Sequence, residues 1–186
     1  HINLEALLHG MSSHYLLGTD ELGRDVLVRL GLGVQISLLV GVSVMIFSAL
    51  IGISIGLISG YFGKWVDTVL MRITDVFLSF PGILIAIAFA AIAGPGIENI
   101  VIALSLMGWV GFARLTRAQV LSLKHVDYIK AAEVSGVSTP RVLLAYLLPN
   151  VSTPLIIECS FALGAAIVAE AGLSFLGLGI QVPDPS

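Results

Sequence analysis

Four long runs of apolar residues, separated by short polar segments, dominate this chain. A helix of about 20 apolar residues crosses the roughly 30 Å hydrocarbon core of a bilayer, so each run is long enough to span it or nearly so. The first run is the clearest, because no charged residue lies between Arg29 and Lys64. The pattern predicts an all-α membrane protein, a polytopic helical bundle with spans over residues 36–59, 76–97, 98–117 and 154–173.

Proline, glycine and hydroxyl residues predict where these helices begin and end. Pro81 and Gly82 lie near the start of the second span, where a proline can kink or begin a helix, and the segment 94–96 (GPG) ends it. Ser152 or Thr153 before Pro154 is typical of a helix start, because a hydroxyl caps free N–H groups and a proline in the first turn needs no acceptor. The fourth span is therefore predicted to begin at Pro154.

The third span has a short uncharged core, residues 99–113. We expect Arg114 and Arg117 to extend their stems and lift their guanidinium groups toward the lipid headgroups, which lengthens the usable span.

The two ends of the chain, residues 1–32 and 174–186, are too polar or too rich in Gly and Pro to cross a membrane. We expect an interfacial segment and a loop, both outside the cytoplasm. A helical spacing in the first segment predicts a short amphipathic helix leading into the first span, formed by Leu22, Val26, Leu27 and Leu30. No metal site is predicted, because no compact ligand pair is formed by His1, His9 and His14.

Small residues recur at every fourth position of the first span: Ser48, Gly52, Gly56 and Gly60. This spacing puts them on one stripe of the helix, where a neighbouring helix can approach closely. We interpret the stripe as a helix-packing surface without chemistry of its own.

Composition supports a membrane protein, since 57% of the residues are hydrophobic and only 11% are charged. A soluble domain carries roughly a quarter charged residues. The formal net charge of -3 gives no indication of a nucleic-acid partner. The bilayer itself is the expected surrounding of this chain.

The placement of Lys and Arg predicts the orientation. The segments on one side of the spans hold Lys64, Arg72, Arg114, Arg117, Lys124, Lys130 and Arg141, whereas those on the other side hold only Arg24 and Arg29. The positive-inside rule puts the first group in the cytoplasm and both ends of the chain outside it. We also expect at least one span before residue 1 and another after residue 186.

The stretch 119–150 is a polar break between the third and fourth spans. Gly136 predicts a helix stop, and Ser138 and Thr139 before Pro140 predict the start of a second short helix. Two interpretations stay open on spacing alone. The segment either docks in a groove of a partner protein or rests as an amphipathic loop on lipid headgroups.

Within this stretch, residues 131–132 (AA), Gly136 and residues 148–149 (LP) resemble the coupling signature of ABC-importer permeases, E-A-A-x(3)-G-x(9)-I-x-L-P. Lys130 stands where the family has glutamate, and Tyr146 where it has isoleucine. Three further stretches resemble the dipeptide, oligopeptide and nickel branch of that family, in the second permease of a heterodimeric pair: LGTDELGRD at 17–25, MRITD at 71–75 leading to FP at 80–81, and AEAGLSFLGLG at 169–179.

The resemblance implies a type I ABC-importer permease of the cell inner membrane, with four of six spans in this chain. It implies a sister permease, two ATPase subunits and an extracytoplasmic substrate-binding protein as partners, and peptides or nickel chelates as cargo. ATP and Mg would be bound by the ATPase subunits, and this chain would bind no cofactor. The ATPase-coupling residues would be Tyr128, Lys130, Ala131, Ala132, Glu133, Gly136, Leu148 and Pro149.

Two carboxylates in the fourth span, Glu158 and Glu170, are candidates for lining a translocation path, because burying a carboxylate in lipid is costly. A substrate contact and a hydrogen bond to a neighbouring helix explain Glu158 equally well. The chain has neither a G-x-x-x-x-G-K-[ST] loop nor an H-E-x-x-H motif, so no catalytic residue is predicted and ATP hydrolysis is expected in another subunit. The alternatives are a self-contained channel or secondary carrier, and a structural membrane subunit.

Overall fold

The computed structural model describes residues 10–12, 15–21, 23–94 and 96–177. In that part of the chain the helices are α1 (Val26–Phe62), α2 (Lys64–Leu78), α3 (Gly82–Ala93), α4 (Ile97–Leu123), α5 (Asp127–Val134) and α6 (Thr139–Phe175). Helices α1, α4 and α6 are long and apolar enough to cross a membrane. Helices α2 and α3 together form a fourth candidate span, bent by 77°. The predicted all-α polytopic fold is confirmed.

The described residues up to Leu39 form one compact unit and those from Val40 a second. In the first unit the Asp20 carboxylate accepts hydrogen bonds from the backbone N–H of Arg24 at 2.9 Å, from Arg24 Nε at 3.0 Å and from Arg29 Nη1 at 2.6 Å. The Asp25 carboxylate accepts from the N–H of Leu27 at 2.8 Å, which satisfies a free donor at the start of α1. This turn therefore leads directly into a helix.

The short amphipathic helix predicted before the first span is not a separate element. Helix α1 begins at Val26 and continues without a break to Phe62, because no proline interrupts residues 26–62 and isolated glycines do not end a helix. The position of Leu22, and the three histidines of the first 14 residues, lie outside the described residues.

In the second unit the small-residue stripe of α1 lies against α4. A Cβ added at Gly52 would overlap the carbonyl oxygen of Trp109, and one added at Gly56 would lie 2.5 Å from Thr116 Cβ. The same holds at the two ends of the stripe, where Ser48 meets Gly108 and Gly60 meets Val120. Backbones come this close only where side chains are small.

The second predicted span, 76–97, is not one straight helix. Helix α2 ends at Leu78 and α3 begins at Gly82, after Pro81 with an extended backbone (φ −62°, ψ 109°). A proline disfavours the helical conformation of the residue before it, here Phe80, and supplies no N–H. The predicted end is observed, since α3 ends at Ala93 and Gly94 follows with φ +85°. Pro95 is outside the described residues.

The fourth predicted span does not begin at Pro154. Helix α6 runs from Thr139 to Phe175 with Pro154 in its interior, and neither Ser152 nor Thr153 acts as a cap. A wide π-helical segment, Val142–Leu147, comes just before Pro149. The wider turn gives room to the ring of Pro149, which would clash with the carbonyl four residues earlier in a regular α-helix. The predicted helix start after Gly136 is observed at Thr139, but this helix is not a separate short one, because it continues into the fourth span.

The C-terminal ends of two predicted spans also differ from the ends of the observed helices. Helix α4 continues six residues beyond the predicted end at 117, to Leu123. Helix α6 continues to Phe175, and Gly177 follows it with φ +76°. Residues 178–186 of the predicted terminal loop are outside the described part.

Candidate functional site

Helix α5 is anchored to the ends of the long helices by its inward side. Ile129 is fully buried in a cluster with Leu57 of α1, Val120 of α4 and Leu147 of α6. Ala132, one turn along α5, is only 7% exposed. Residues three apart lie on the same face of a helix, so Ile129 and Ala132 together hold α5 against the bundle.

A glycine ends α5 in the way the sequence predicts. Gly136 has φ +78°, its N–H donates to Glu133 O at 3.0 Å, and the N–H of Val137 donates to Ala132 O at 3.1 Å. These two bonds define a Schellman motif, which needs a residue in the left-handed conformation just after the helix. Val137 then packs against the buried cluster, so the turn is fixed on both sides.

The opposite side of α5 is open. We define its outer face as Tyr128, Ala131, Val134 and Gly136, all of which are exposed. Val134 is 89% exposed, and a Cβ added at Gly136 would meet nothing within 4 Å. This is a small apolar surface that the described chain leaves uncovered.

The predicted coupling residues divide between these two sides. Ala132 was predicted to be part of a docking surface, but it points inward and is buried, because it shares the face of Ile129. Leu148 packs partly against the buried cluster, whereas Pro149 is exposed. Val134 was not predicted to be part of this surface. An apolar residue between Glu133 and Ser135, at the end of a short helix, could have indicated it.

Two polar contacts join α5 and the segment before it to the end of α1. The hydroxyl of Tyr61 donates to Glu133 Oε1 at 2.7 Å, and Lys124 Nζ donates to the backbone carbonyl of Gly60 at 3.0 Å. Lys130 and Glu133 line a cavity of about 350 Å³ beside these contacts. A displacement of α5 would therefore act directly on the end of α1.

A carboxylate of α2 joins three helices nearby. Asp67 accepts from Arg117 Nε at 2.5 Å and Nη2 at 2.6 Å, and from the hydroxyl of Ser59 at 2.5 Å. Asp67 lies in α2, which forms a candidate span together with α3, so its carboxylate is paired where a lone charge would be costly. The two-pronged bond from Arg117 to this carboxylate is a strong pairing, and the expectation that Arg114 and Arg117 reach the lipid headgroups stays a prediction.

Replacing Asp67 with asparagine should destabilise the full-length protein by about 1 kcal/mol at neutral pH, since the pair keeps some contact with solvent. Thermal unfolding in detergent measures the loss of stability. Asp75→Asn on the same helix, at an exposed position, is the matched control and should resemble the wild type.

The two carboxylates of α6 differ in surroundings. Glu170 is 5% exposed and accepts a hydrogen bond from the Ser174 hydroxyl at 2.7 Å, so its carboxylate has a partner within the fold. Glu158 lines a cavity of about 430 Å³ formed by α1, α3, α4 and α6. Only Glu158 of the two therefore faces space that a substrate could enter.

The long apolar helices define a multi-pass helical membrane protein. Two of them carry large outward side chains, Phe47 and Phe161, that are more than half exposed. Residues 52–186 match the family model described as binding-protein-dependent transport system inner membrane component. The chain belongs to this family of inner-membrane transport components, as the sequence motifs predicted.

The curated relatives that the chain matches are named as transport system permease proteins. The chain is 44% identical over 172 residues to the dipeptide transport system permease protein of Bacillus subtilis, covering 92% of this chain and 54% of that one. It is 42% identical over 178 residues to a di/tripeptide transport system permease protein of Pseudomonas aeruginosa, covering 96% and 59%. It is 40% identical over 185 residues to a glutathione transport system permease protein of Pectobacterium atrosepticum, covering 100% and 62%. The chain thus spans less than two thirds of these relatives.

Proposed function

We propose that this chain is part of a permease subunit of an ATP-driven importer, and that the outer face of α5 is where an ATPase subunit binds. The observation that carries the proposal is an exposed apolar face on a short helix whose other face is fully anchored. Val134 is 89% exposed while Ile129, on the opposite side, is buried completely. A fixed helix with one open apolar face suits binding in a groove of another protein.

The anchoring gives this contact a mechanical consequence. Helix α5 joins α6 through the short turn at Gly136, and α6 continues as one helix from Thr139 to Phe175. The hydroxyl of Tyr61 links Glu133 to the end of α1. Closure of two ATPase subunits would displace α5 and tilt α1 and α6 with it, which is the rigid-body movement that alternating access requires.

Orientation follows from the positive-inside rule, which favours a cytoplasmic location for α5 and Lys124, Lys130 and Arg141 around it. The ends of the chain, 1–32 and 174–186, then lie outside the cytoplasm. ATP and Mg belong to the ATPase partners in this proposal, since the sequence holds no phosphate-binding G-x-x-x-x-G-K-[ST] loop. A sister permease and an extracytoplasmic binding protein complete the proposed complex of a six-span subunit.

Peptides are the proposed cargo, because the relatives are named for dipeptide, di/tripeptide and glutathione transport. Nickel chelates stay a second prediction from the sequence motifs alone. Glu158 is the proposed contact within the translocation path, because it lines an open cavity, whereas Glu170 is the weaker candidate since it is buried and hydrogen-bonded.

Reconstitution of the full-length protein in vesicles, with its sister permease, ATPase subunits and binding protein, tests this function. Uptake of a labelled dipeptide should require ATP and should fall at least tenfold when the ATPase subunits are left out. Uptake driven by an ion or substrate gradient without ATP would instead support a secondary carrier or channel. Full uptake in vesicles that lack this chain would contradict its role in transport and would support a structural subunit.

A further inference from the structure

A second cavity, of about 350 Å³, lies where the end of α1, the segment after α4 and one flank of α5 meet. This volume is within the range of about 300–1,000 Å³ that is common for small-molecule pockets. The residues around it are Tyr61, Phe62, Lys124, His125, Lys130 and Glu133. Three of these residues are basic, so the chemistry of the cavity is that of an anion site.

Two hydrogen bonds at the end of α1 bring the walls of this cavity together. Lys124 Nζ donates to the carbonyl oxygen of Gly60 at 3.0 Å. The hydroxyl of Tyr61, the next residue, donates to Glu133 Oε1 at 2.7 Å. Lys130 lies three positions before Glu133 on α5, and residues with this spacing have Cβ atoms about 5–6 Å apart on one flank of a helix. Lys124 and Lys130 therefore border one space.

The basic side chains keep donors that the described chain does not use. The ammonium group of Lys124 has three N–H donors, one of which goes to the backbone carbonyl. The side chains of Lys130 and His125 are exposed and form no hydrogen bond or ion pair within the described residues. Among the described residues around the cavity, two lysines stand against one acidic residue, Glu133. The unused donors and the net positive charge suit an anion.

Aromatic side chains indicate that this end of the bundle lies at the level of the lipid headgroups. Phe62, the last residue of α1, is 52% exposed, and Trp65, in the first turn of α2, is 73% exposed. Aromatic residues such as Trp and Tyr are enriched where the hydrocarbon core of a membrane meets the headgroups. Phe62 also lines the cavity, so an apolar wall lies next to the charged ones. A phospholipid offers the matching pair of a charged headgroup and apolar chains.

We propose that this cavity binds the phosphate group of an anionic phospholipid. Lys124 and Lys130 contact the phosphate oxygens, and the acyl chains lie against Phe62. The ring N–H of His125 adds a further donor. Basic pockets between spanning helices on the cytoplasmic side of a membrane are suited to anionic headgroups. The site needs no ATP-driven transport, and only its location in the cytoplasmic leaflet rests on the orientation proposed above.

This site and the ATPase contact can be occupied together. Lys130 and Glu133 lie on the flank of α5 that borders the end of α1. Tyr128, Ala131 and Val134 of the outer face are not among the residues around the cavity. A headgroup bound on the flank therefore leaves the outer face open.

The charge of the cavity selects among headgroups. Phosphatidylglycerol carries one negative charge, and its hydroxyl groups can donate to the Glu133 carboxylate. Phosphatidylcholine has the same phosphate together with a quaternary ammonium group, which donates no hydrogen bond and which a net positive cavity repels. Phosphatidylglycerol should therefore bind more tightly.

Native mass spectrometry of the purified full-length complex, without ATP and in a neutral detergent, tests the site by counting bound dioctanoyl phosphatidylglycerol or dioctanoyl phosphatidylcholine. The wild type should bind the first lipid about tenfold more tightly than the second, or more. Lys130→Gln should weaken phosphatidylglycerol binding about fivefold, which is the usual contribution of one lysine beside an anionic lipid. Adding Lys124→Gln should remove most of the remaining preference.

Arg141→Gln is the matched control, because it removes an exposed cation at the start of α6 that does not line the cavity. It should leave phosphatidylglycerol binding unchanged. If the variant with Lys124→Gln does not accumulate, since its bond to Gly60 is lost, Lys130→Gln combined with His125→Gln replaces it. Both of these side chains are exposed and without a partner in the described chain, so the fold should persist.

Glycerol 3-phosphate, which has a phosphate and no acyl chains, distinguishes a lipid from a soluble phosphate compound. It should displace phosphatidylglycerol only at a concentration about a hundredfold higher or more, because acyl chains add binding energy. Displacement at equal concentrations would overturn the lipid assignment in favour of a soluble phosphate ligand. Equal binding of the two lipids by the wild type, or wild-type phosphatidylglycerol affinity in Lys130→Gln, would overturn the site. A complex that keeps this preference but takes up peptide without ATP would lose only the proposed importer function.

Discussion

Replacing Gly52 with alanine should prevent α1 and α4 from packing. The new methyl group would overlap the carbonyl oxygen of Trp109 and lie 2.5 Å from Phe112 Cβ. Neither atom can move alone, because one belongs to the backbone and the other starts a side chain that is fully buried. The two helices must separate, and overpacking of this kind costs about 1–3 kcal/mol or more.

The measurement is the amount of monodisperse full-length protein extracted from membranes, followed by its thermal unfolding in detergent. Gly164→Ala on α6 is the matched control, since a Cβ there meets nothing within 4 Å. Alanine favours a helix by up to about 1 kcal/mol over glycine, so the control should be as stable as the wild type or more so. Equal stability of Gly52→Ala and Gly164→Ala would contradict the close packing of α1 on α4.

Replacing Gly136 with aspartate should uncouple transport without unfolding the permease. Aspartate is among the residues that tolerate the left-handed conformation, and a Cβ at Gly136 meets nothing within 4 Å of its own chain. The turn after α5 should therefore persist. A buried charge at a partner's surface is costly, so peptide uptake in reconstituted vesicles should fall at least tenfold.

Gly177→Asp is the control for this variant. Gly177 has φ +76°, close to the φ +78° of Gly136, and a Cβ there also meets nothing within 4 Å. It follows α6 at the opposite end from α5, so the same chemical change in the same conformation should leave uptake near the wild-type level. Equal uptake in both variants would show that the outer face of α5 carries no essential contact.

Local signals in the sequence predicted several elements well. The uncharged run after Arg29 predicted most of α1, and the glycine at 136 predicted the end of α5, because a left-handed residue at that point depends mainly on its immediate neighbours. Pro81 and Gly82 predicted a kink or a helix start for the same local reason, and α3 begins at Gly82. Chain stiffness and hydrogen-bonding capacity are properties of a few adjacent residues.

Other features needed the packed chain. A proline preceded by hydroxyl residues indicated a helix start at Pro154, but α6 continues through it because buried neighbours such as Val151 and Leu155 hold both sides of the proline in the bundle. Ala132 was assigned to a docking surface by motif, although only the position of the bundle decides which side of α5 is inward.

Contacts between distant residues could not be predicted at all. Tyr61 and Glu133 are 72 positions apart, and Asp67 and Arg117 are 50 apart. No periodicity in one helix indicates which residue of another it will meet. These two pairs nevertheless add polar contacts between α5 and α1 and between α2 and α4.

The most direct measurement of the central claim is the amount of ATPase subunit that copurifies with tagged full-length permease from membranes. With Gly136→Asp, the ATPase recovered per permease should fall about tenfold or more, since a loss of 1.4 kcal/mol is a tenfold change in affinity. Gly177→Asp should retain the wild-type ratio. A wild-type ratio of ATPase to permease in Gly136→Asp would contradict the assignment of α5 as the ATPase contact and favour a helix that rests on lipid headgroups.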